Sequence, residues 1–250
     1  MPQLDFDGAN SKVSADKIQG QSGTTVTVPT GHKIAGTDAN SITINGVNAV
    51  AVAPSTSGNV LTSTGSAWAS SAAAGGAWTL LTTANASSSS SINFTSGIDS
   101  TYKNYVITIT DYVTATVWGG IQMRTSSNGG SSYDSGSTDY MYSIHKVYAG
   151  NTNYLTYTST GAAQTIITTD IGNAGGAGAS GMIRIYNPSG TTVQKMFTIE
   201  VIKSEGSSGA NITTSLGGAV RKSTSAIDAI QLIPSSGTIA SGVFKLYGIN

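Results

Sequence analysis

Cysteine is absent from this 250-residue chain. That excludes disulfide staples and thiolate metal sites, and it suits a protein made in a reducing cytoplasm. Charge is scarce too: 10% of residues are Asp, Glu, Lys or Arg, against roughly 25% in an average globular protein. Twelve basic residues balance twelve acidic ones, so nothing in the charge favours nucleic acid or an anionic membrane surface as a partner. No apolar run approaches the roughly 18 residues that span a bilayer, so membrane insertion is not expected. The start, Met1-Pro2-Gln3-Leu4-Asp5-Phe6-Asp7, has neither the basic opening nor the apolar run of a signal peptide. Histidine is limited to His32 and His145. With no Cys and no ligand spacing around either, neither a metal site nor a cofactor is expected.

What replaces charge is Ser, Thr and 31 Gly, a composition poor in helix formers and suited to strands and turns. The chain is not expected to be disordered throughout, because 38% of it is hydrophobic and 11 Tyr and 3 Trp can fill a core. An all-β fold is predicted in three zones. Residues 1–50 hold short alternating pieces, Thr24-Thr25-Val26-Thr27-Val28 and Ser41-Ile42-Thr43-Ile44, each followed by a turn signal. The apolar content there is thin, with Leu4, Phe6, Ile18 and Ile34 among few large side chains, so an extended β arm needing partner surface is expected. Residues 51–77 read as a Ser/Gly/Ala-rich spacer in which Trp68 is expected to bury against a neighbouring chain.

Residues 78–250 carry the strong strand signals. Tyr105-Val106-Ile107-Thr108-Ile109, Ile121-Gln122-Met123-Arg124, Met182-Ile183-Arg184-Ile185-Tyr186, Phe197-Thr198-Ile199-Glu200-Val201, Ile227 to Ile233 and Val243-Phe244-Lys245-Leu246-Tyr247 alternate between Gly/Ser turns. They predict an antiparallel, jelly-roll-like β-sandwich, with at most a turn or two of helix near Asp99 to Asn104.

Chemistry is sparsely signalled. Gly176-Ala177-Gly178-Ala179-Ser180-Gly181 fits the dinucleotide-binding pattern. A strand follows it where a helix N-terminus is required, so it is read as a surface loop. No Gly-x-Ser-x-Gly elbow precedes a helix. A carboxylate pair for glycoside hydrolysis would have to come from Asp99, Asp111, Asp134, Asp139, Asp170, Glu200, Glu205 or Asp228, without the long β-helix repeat that usually carries one. An enzyme is not expected. The remaining candidate is recognition: Tyr133, Asp134, Tyr140, Tyr142, Tyr148, Tyr154 and Tyr157 lie close in sequence among Ser, Gly and Asn. Tyrosine among small polar residues suits a binding surface. The competing reading is that several of these tyrosines pack inside or between strands, with Asp134 and Asp139 as turn residues.

Several stretches resemble tail-fibre and related virion proteins of tailed bacteriophages. Ser14 to Gly20 with Ser22 to Lys33 resembles a segment near the start of such fibres, and Pro54 to Trp68 is similar to the hinge before their C-terminal domains. Gly97 to Tyr105, Ser126 to Tyr133 and Phe244 to Ile249 resemble their head-binding or receptor-binding sandwich. The resemblance implies a virion protein made in the bacterial host cytoplasm. It further implies a homotrimer joined to other virion proteins by an N-terminal anchor, with Leu4, Phe6, Ile18, Val26 and Val28 as anchor candidates. Its C-terminal domain would meet a host surface glycan or protein. The alternative is a capsid decoration protein or head fibre that stabilises the shell without a receptor role, which the modest chain length favours.

Overall fold

A computed structural model describes residues 43–44, 47–48, 59–63, 68–72, 76–149, 154–206 and 211–249. The proposed anchor residues Leu4, Phe6, Ile18, Val26 and Val28 lie outside the described residues, as does the Trp68 side chain. The chain divides into two units, residues 1–74 and 75–250. All assigned elements are strands.

In the first unit β1 (Thr43–Ile44) pairs antiparallel with β2 (Val47–Asn48). Inside the stretch expected to be a spacer, β3 (Asn59–Ser63) and β4 (Trp68–Ala72) form a further ladder. Asn59 Nδ2 donates to Ser70 Oγ at 3.1 Å, and the Thr62 and Ser71 hydroxyls bond at 2.8 Å. Val60 and Leu61 remain exposed, and so small a ladder has little burial to hold it.

The second unit is one twelve-stranded antiparallel sheet folded into two layers. Its strands are β5 (Trp78–Ser89), β6 (Ile92–Phe94), β7 (Asn104–Thr114), β8 (Gly119–Ser126), β9 (Tyr140–Tyr148), β10 (Tyr154–Ala162), β11 (Thr165–Ile171), β12 (Ala179–Tyr186), β13 (Lys195–Glu205), β14 (Asn211–Arg221), β15 (Ala229–Pro234) and β16 (Ile239–Ile249). Eight form the large layer, in the order β10-β9-β14-β13-β12-β7-β16-β5, and four form the small layer, β11-β8-β15-β6. Among the described residues the layers share one backbone bridge, Ile171 of β11 against Glu205 of β13.

Alternation explains the packing. In β13, Lys195, Phe197, Ile199, Val201, Lys203 and Glu205 point inward while Met196, Thr198, Glu200 and Ile202 point to solvent. Phe94, Tyr105, Ile107, Ile121, Met123, Ile183, Phe244 and Leu246 fill the core between the layers. Tyr112 meets Phe244 edge to face at 6.3 Å, and its hydroxyl donates to the Gly120 carbonyl at 3.3 Å. Burial pushes the Tyr112 phenol up to about 12.

Two local expectations are corrected. No helix forms between Asp99 and Asn104: the Tyr105 hydroxyl donates to the Asp99 carbonyl at 3.0 Å and accepts the Asp99 amide at 3.1 Å. Asp99 Oδ1 accepts the Thr101 amide at 2.7 Å, so the segment bends around a buried ring rather than winding. The glycine-rich loop is also shorter than expected, since Ala179, Ser180 and Gly181 belong to β12.

Candidate functional site: an outer face and a buried charge cluster

The structure distributes the seven candidate recognition residues to different places, and strand period is the reason. Tyr140, Tyr142, Ile144, Lys146 and Tyr148 are alternate residues of β9 and share the inward face. Tyr140 is fully buried, so its assignment to a binding surface is withdrawn. Its hydroxyl accepts the Thr125 amide at 2.8 Å and bonds the Thr125 hydroxyl at 2.9 Å. Asp134 sits in the same network, its Oδ2 accepting Arg221 Nε at 2.6 Å and the Thr125 hydroxyl at 2.9 Å. It pins the loop before β9 onto β8 and β14, which is a structural role. Tyr142 packs against the core, and Tyr133 is half-buried over Gly130 with its hydroxyl enclosed. Tyr154, paired with Val147 on the opposite face, is the one widely exposed member of the set, at 69%.

Tyr148 and Tyr157 do converge, over a buried ammonium. Lys146 Nζ lies 5.2 Å from the Tyr148 ring centroid and 5.5 Å from that of Tyr157. It donates to Asp170 Oδ2 at 2.7 Å and Glu205 Oε1 at 3.0 Å. Lys203, also inward on β13, stands 3.6 Å from Glu205 Oε2 and donates to the Asp170 carbonyl at 3.1 Å. The Thr213 hydroxyl donates to Glu205 Oε2 at 2.5 Å, and Tyr157 OH donates to Asp170 Oδ2 at 3.3 Å. Two cations and two anions are thus matched at the edge where the layers meet.

Burial alone would lower the Lys146 ammonium, but its bonds to Asp170 and Glu205 outweigh that and hold it above its ordinary value. Burial acts the other way on Asp170, yet the Lys146 bond keeps its carboxyl low. Lys203 has weaker partners: burial first, then the Lys146 charge, bring it down to about 8. Two of the carboxylates considered for glycoside cleavage, Asp170 and Glu205, are therefore brought together, but around a lysine rather than across an open cleft. Among the described residues no group of three His, Cys, Asp or Glu is placed to hold a metal ion, and no helix is long and apolar enough to cross a membrane.

The feature that the sequence reading missed is the solvent face of the large layer. Directly paired residues point the same way in an antiparallel ladder. One row therefore runs Tyr154, Val147, Thr214, Ile202, and the next runs His145, Leu216, Glu200, Met182. Val147, Tyr154, Ile202, Ile212 and Leu216 are each 45–69% exposed. Ser143, Gly218 and Thr198 make the following row, too small to fill it. Beyond it, Met141, Val220, Met196 and Tyr186 line a trough of about 510 Å³. Arg184 and Glu200 stand exposed on this face without an ion-pair partner among the described residues. The signal was in the sequence, as an apolar residue at the outward positions of β13 and β14, but it takes the pairing register to see that they adjoin. No family model, curated protein or solved structure matches this chain.

Proposed function

We propose that this chain is a structural protein of a bacteriophage particle, a homotrimeric tail fibre that anchors through residues 1–50 and meets the host surface through its C-terminal sandwich. The observation that carries this reading is the apolar solvent face of the large layer. Isolated exposed apolar side chains are ordinary, whereas a contiguous field spread over β9, β10, β13 and β14 marks an interaction surface. Such a face suits contact with sister chains. The unpaired Arg184 and Glu200 supply opposite charges that a second copy can match. A hydroxyl-rich exterior and tightly tied loops suit a protein that works outside the cell.

Cryo-electron microscopy of the intact particle is the direct test. Three copies around one axis at the tail, with the sandwich outermost, are the expected result. Density spread over the capsid would replace host attachment with a shell-stabilising role, and absence from the particle would remove the virion reading altogether.

A further inference from the structure

From the Lys146, Asp170 and Glu205 geometry we infer a covalent modification site: a self-formed amide bond between Lys146 Nζ and Asp170 Cγ, with Glu205 as the proton carrier. The inference does not depend on the virion reading. Four observations carry it.

The first is contact. Lys146 Nζ lies 2.7 Å from Asp170 Oδ2, which puts the carboxyl carbon near the roughly 3–3.5 Å from which bonds form. The second is the bridging carboxylate. Glu205 Oε1 accepts from the same ammonium at 3.0 Å, and the Thr213 hydroxyl fixes the other carboxylate oxygen, Oε2. The third is enclosure: the Lys146 side chain is 1% exposed and Glu205 8%, under the Tyr148 and Tyr157 rings. Lys146 and Glu205 are thus kept from bulk water, while Asp170, 32% exposed, leaves a way out for a small leaving group.

The fourth is a backbone built to aim Asp170. The register of β11 against β8 slips between Thr168 and Ile171, so Asp170 occupies a bulge. It takes the left-handed conformation, φ 59°, that non-glycine residues seldom adopt. Its side chain is thereby directed from the small layer to a lysine on the large one.

The step balances without a co-reactant. Glu205 takes one proton from the Lys146 ammonium and passes it to the Asp170 carboxyl, and the freed amine attacks the carboxyl carbon. A C–N bond forms and a C–O bond breaks; a second ammonium proton joins the departing oxygen, which leaves as water, and the third stays on the amide nitrogen. One cation and one anion disappear together, leaving Lys203 and Glu205 as a matched pair. The bond would staple the two layers in a chain that has no cysteine to do so.

Mass spectrometry of the intact, denatured full-length chain tests this. The expected mass is that of the sequence less one water, and trypsin should fail to cut after Lys146 and release a branched peptide joining it to Asp170. Lys146→Arg should regain the missing water, and Glu205→Gln should leave most of the chain unlinked. The sequence mass in folded wild-type protein would overturn the proposal. So would a water loss that persists in the Lys146→Arg chain.

Discussion

Lys146 on β9 and Asp170 on β11 face each other from different layers of the sandwich, Nζ to Oδ2 at 2.7 Å, although β9 and β11 share no ladder. Beyond one backbone bridge at Ile171 and Glu205, the layers are joined here by side chains.

Replacing Lys146 by Met should therefore cost far more than a surface pair would. Among the described residues, Glu205 would be left buried with Lys203 at 3.6 Å as the one cation to answer its charge. Breaking one partner of a buried pair costs about 3–5 kcal/mol, and urea unfolding of the purified variant would read it. A change below about 1 kcal/mol, the range of exposed pairs, would mean that the cluster is effectively solvated.

Lys203 should make stability rise with alkaline pH. Its folded value of about 8 lies below the ordinary 10.5. Between these the unfolded chain holds more protons than the native one, so the free energy of unfolding increases with pH across that window. Lys203→Met should flatten the rise when midpoints are compared at pH 7.5 and pH 10. An unchanged slope in the variant would assign the effect to another group.

Asp134→Ala is expected to act on stability before any recognition. Arg221, whose side chain is 5% exposed, loses the acidic partner it has among the described residues, which predicts a loss of about 3 kcal/mol. Tyr140→Phe removes the acceptor of the buried Thr125 amide and should cost about 1–3 kcal/mol. Thermal melts of both variants, set beside particle binding to host cells, separate the two roles. Binding lost with an unchanged melt would restore Asp134 as a contact residue.

Gly217 cannot carry a side chain. A Cβ there would run into the Ser143 carbonyl oxygen and the Ile144 backbone of the neighbouring strand. Gly217→Ala should part β14 from β9 and cost about 1–3 kcal/mol, seen as lost amide-exchange protection along Tyr140–Tyr148. Gly218→Ala meets only the Phe197 carbonyl oxygen at 3.3 Å and should be milder.

The outer face gives a test of assembly. Ile202→Asp combined with Leu216→Asp places charge on exposed positions in adjacent rows, where the fold itself has little at stake. If the proposed trimer forms through this face, sedimentation of the full chain should shift from trimer to monomer with an unaltered circular dichroism spectrum. A trimer that persists would move the sister-chain contact elsewhere.

Much of the fold was legible because the chain alternates. β7, β8, β12, β13, β15 and β16 each contain a stretch where apolar residues recur every second position, and period two with Gly/Ser turns admits few outcomes but antiparallel strands. β5, β11 and β14 carry little alternation because Ser, Thr and Gly occupy even their inward positions; in β14 these include Thr213, Ser215 and Gly217. Their identity as strands comes from neighbours that supply the ladder, which is tertiary context. The tyrosines were visible as a cluster in sequence, but a one-residue step along β9 or β10 reverses the face, so closeness in sequence did not make a surface. Lys146 in the apolar register of β9, and Lys203 with Glu205 in that of β13, were the readable sign of a buried charge cluster.

By itself, then, the sequence determined an all-β chain, sparing in charge and without disulfides, because composition and period are local properties. Which strands adjoin was decided only by the fold. That choice turned Asp134 and Tyr140 inward and set Lys146 against Asp170 and Glu205. It also gathered Val147, Tyr154, Ile202 and Leu216 on one face, since register across a sheet joins residues far apart in the chain.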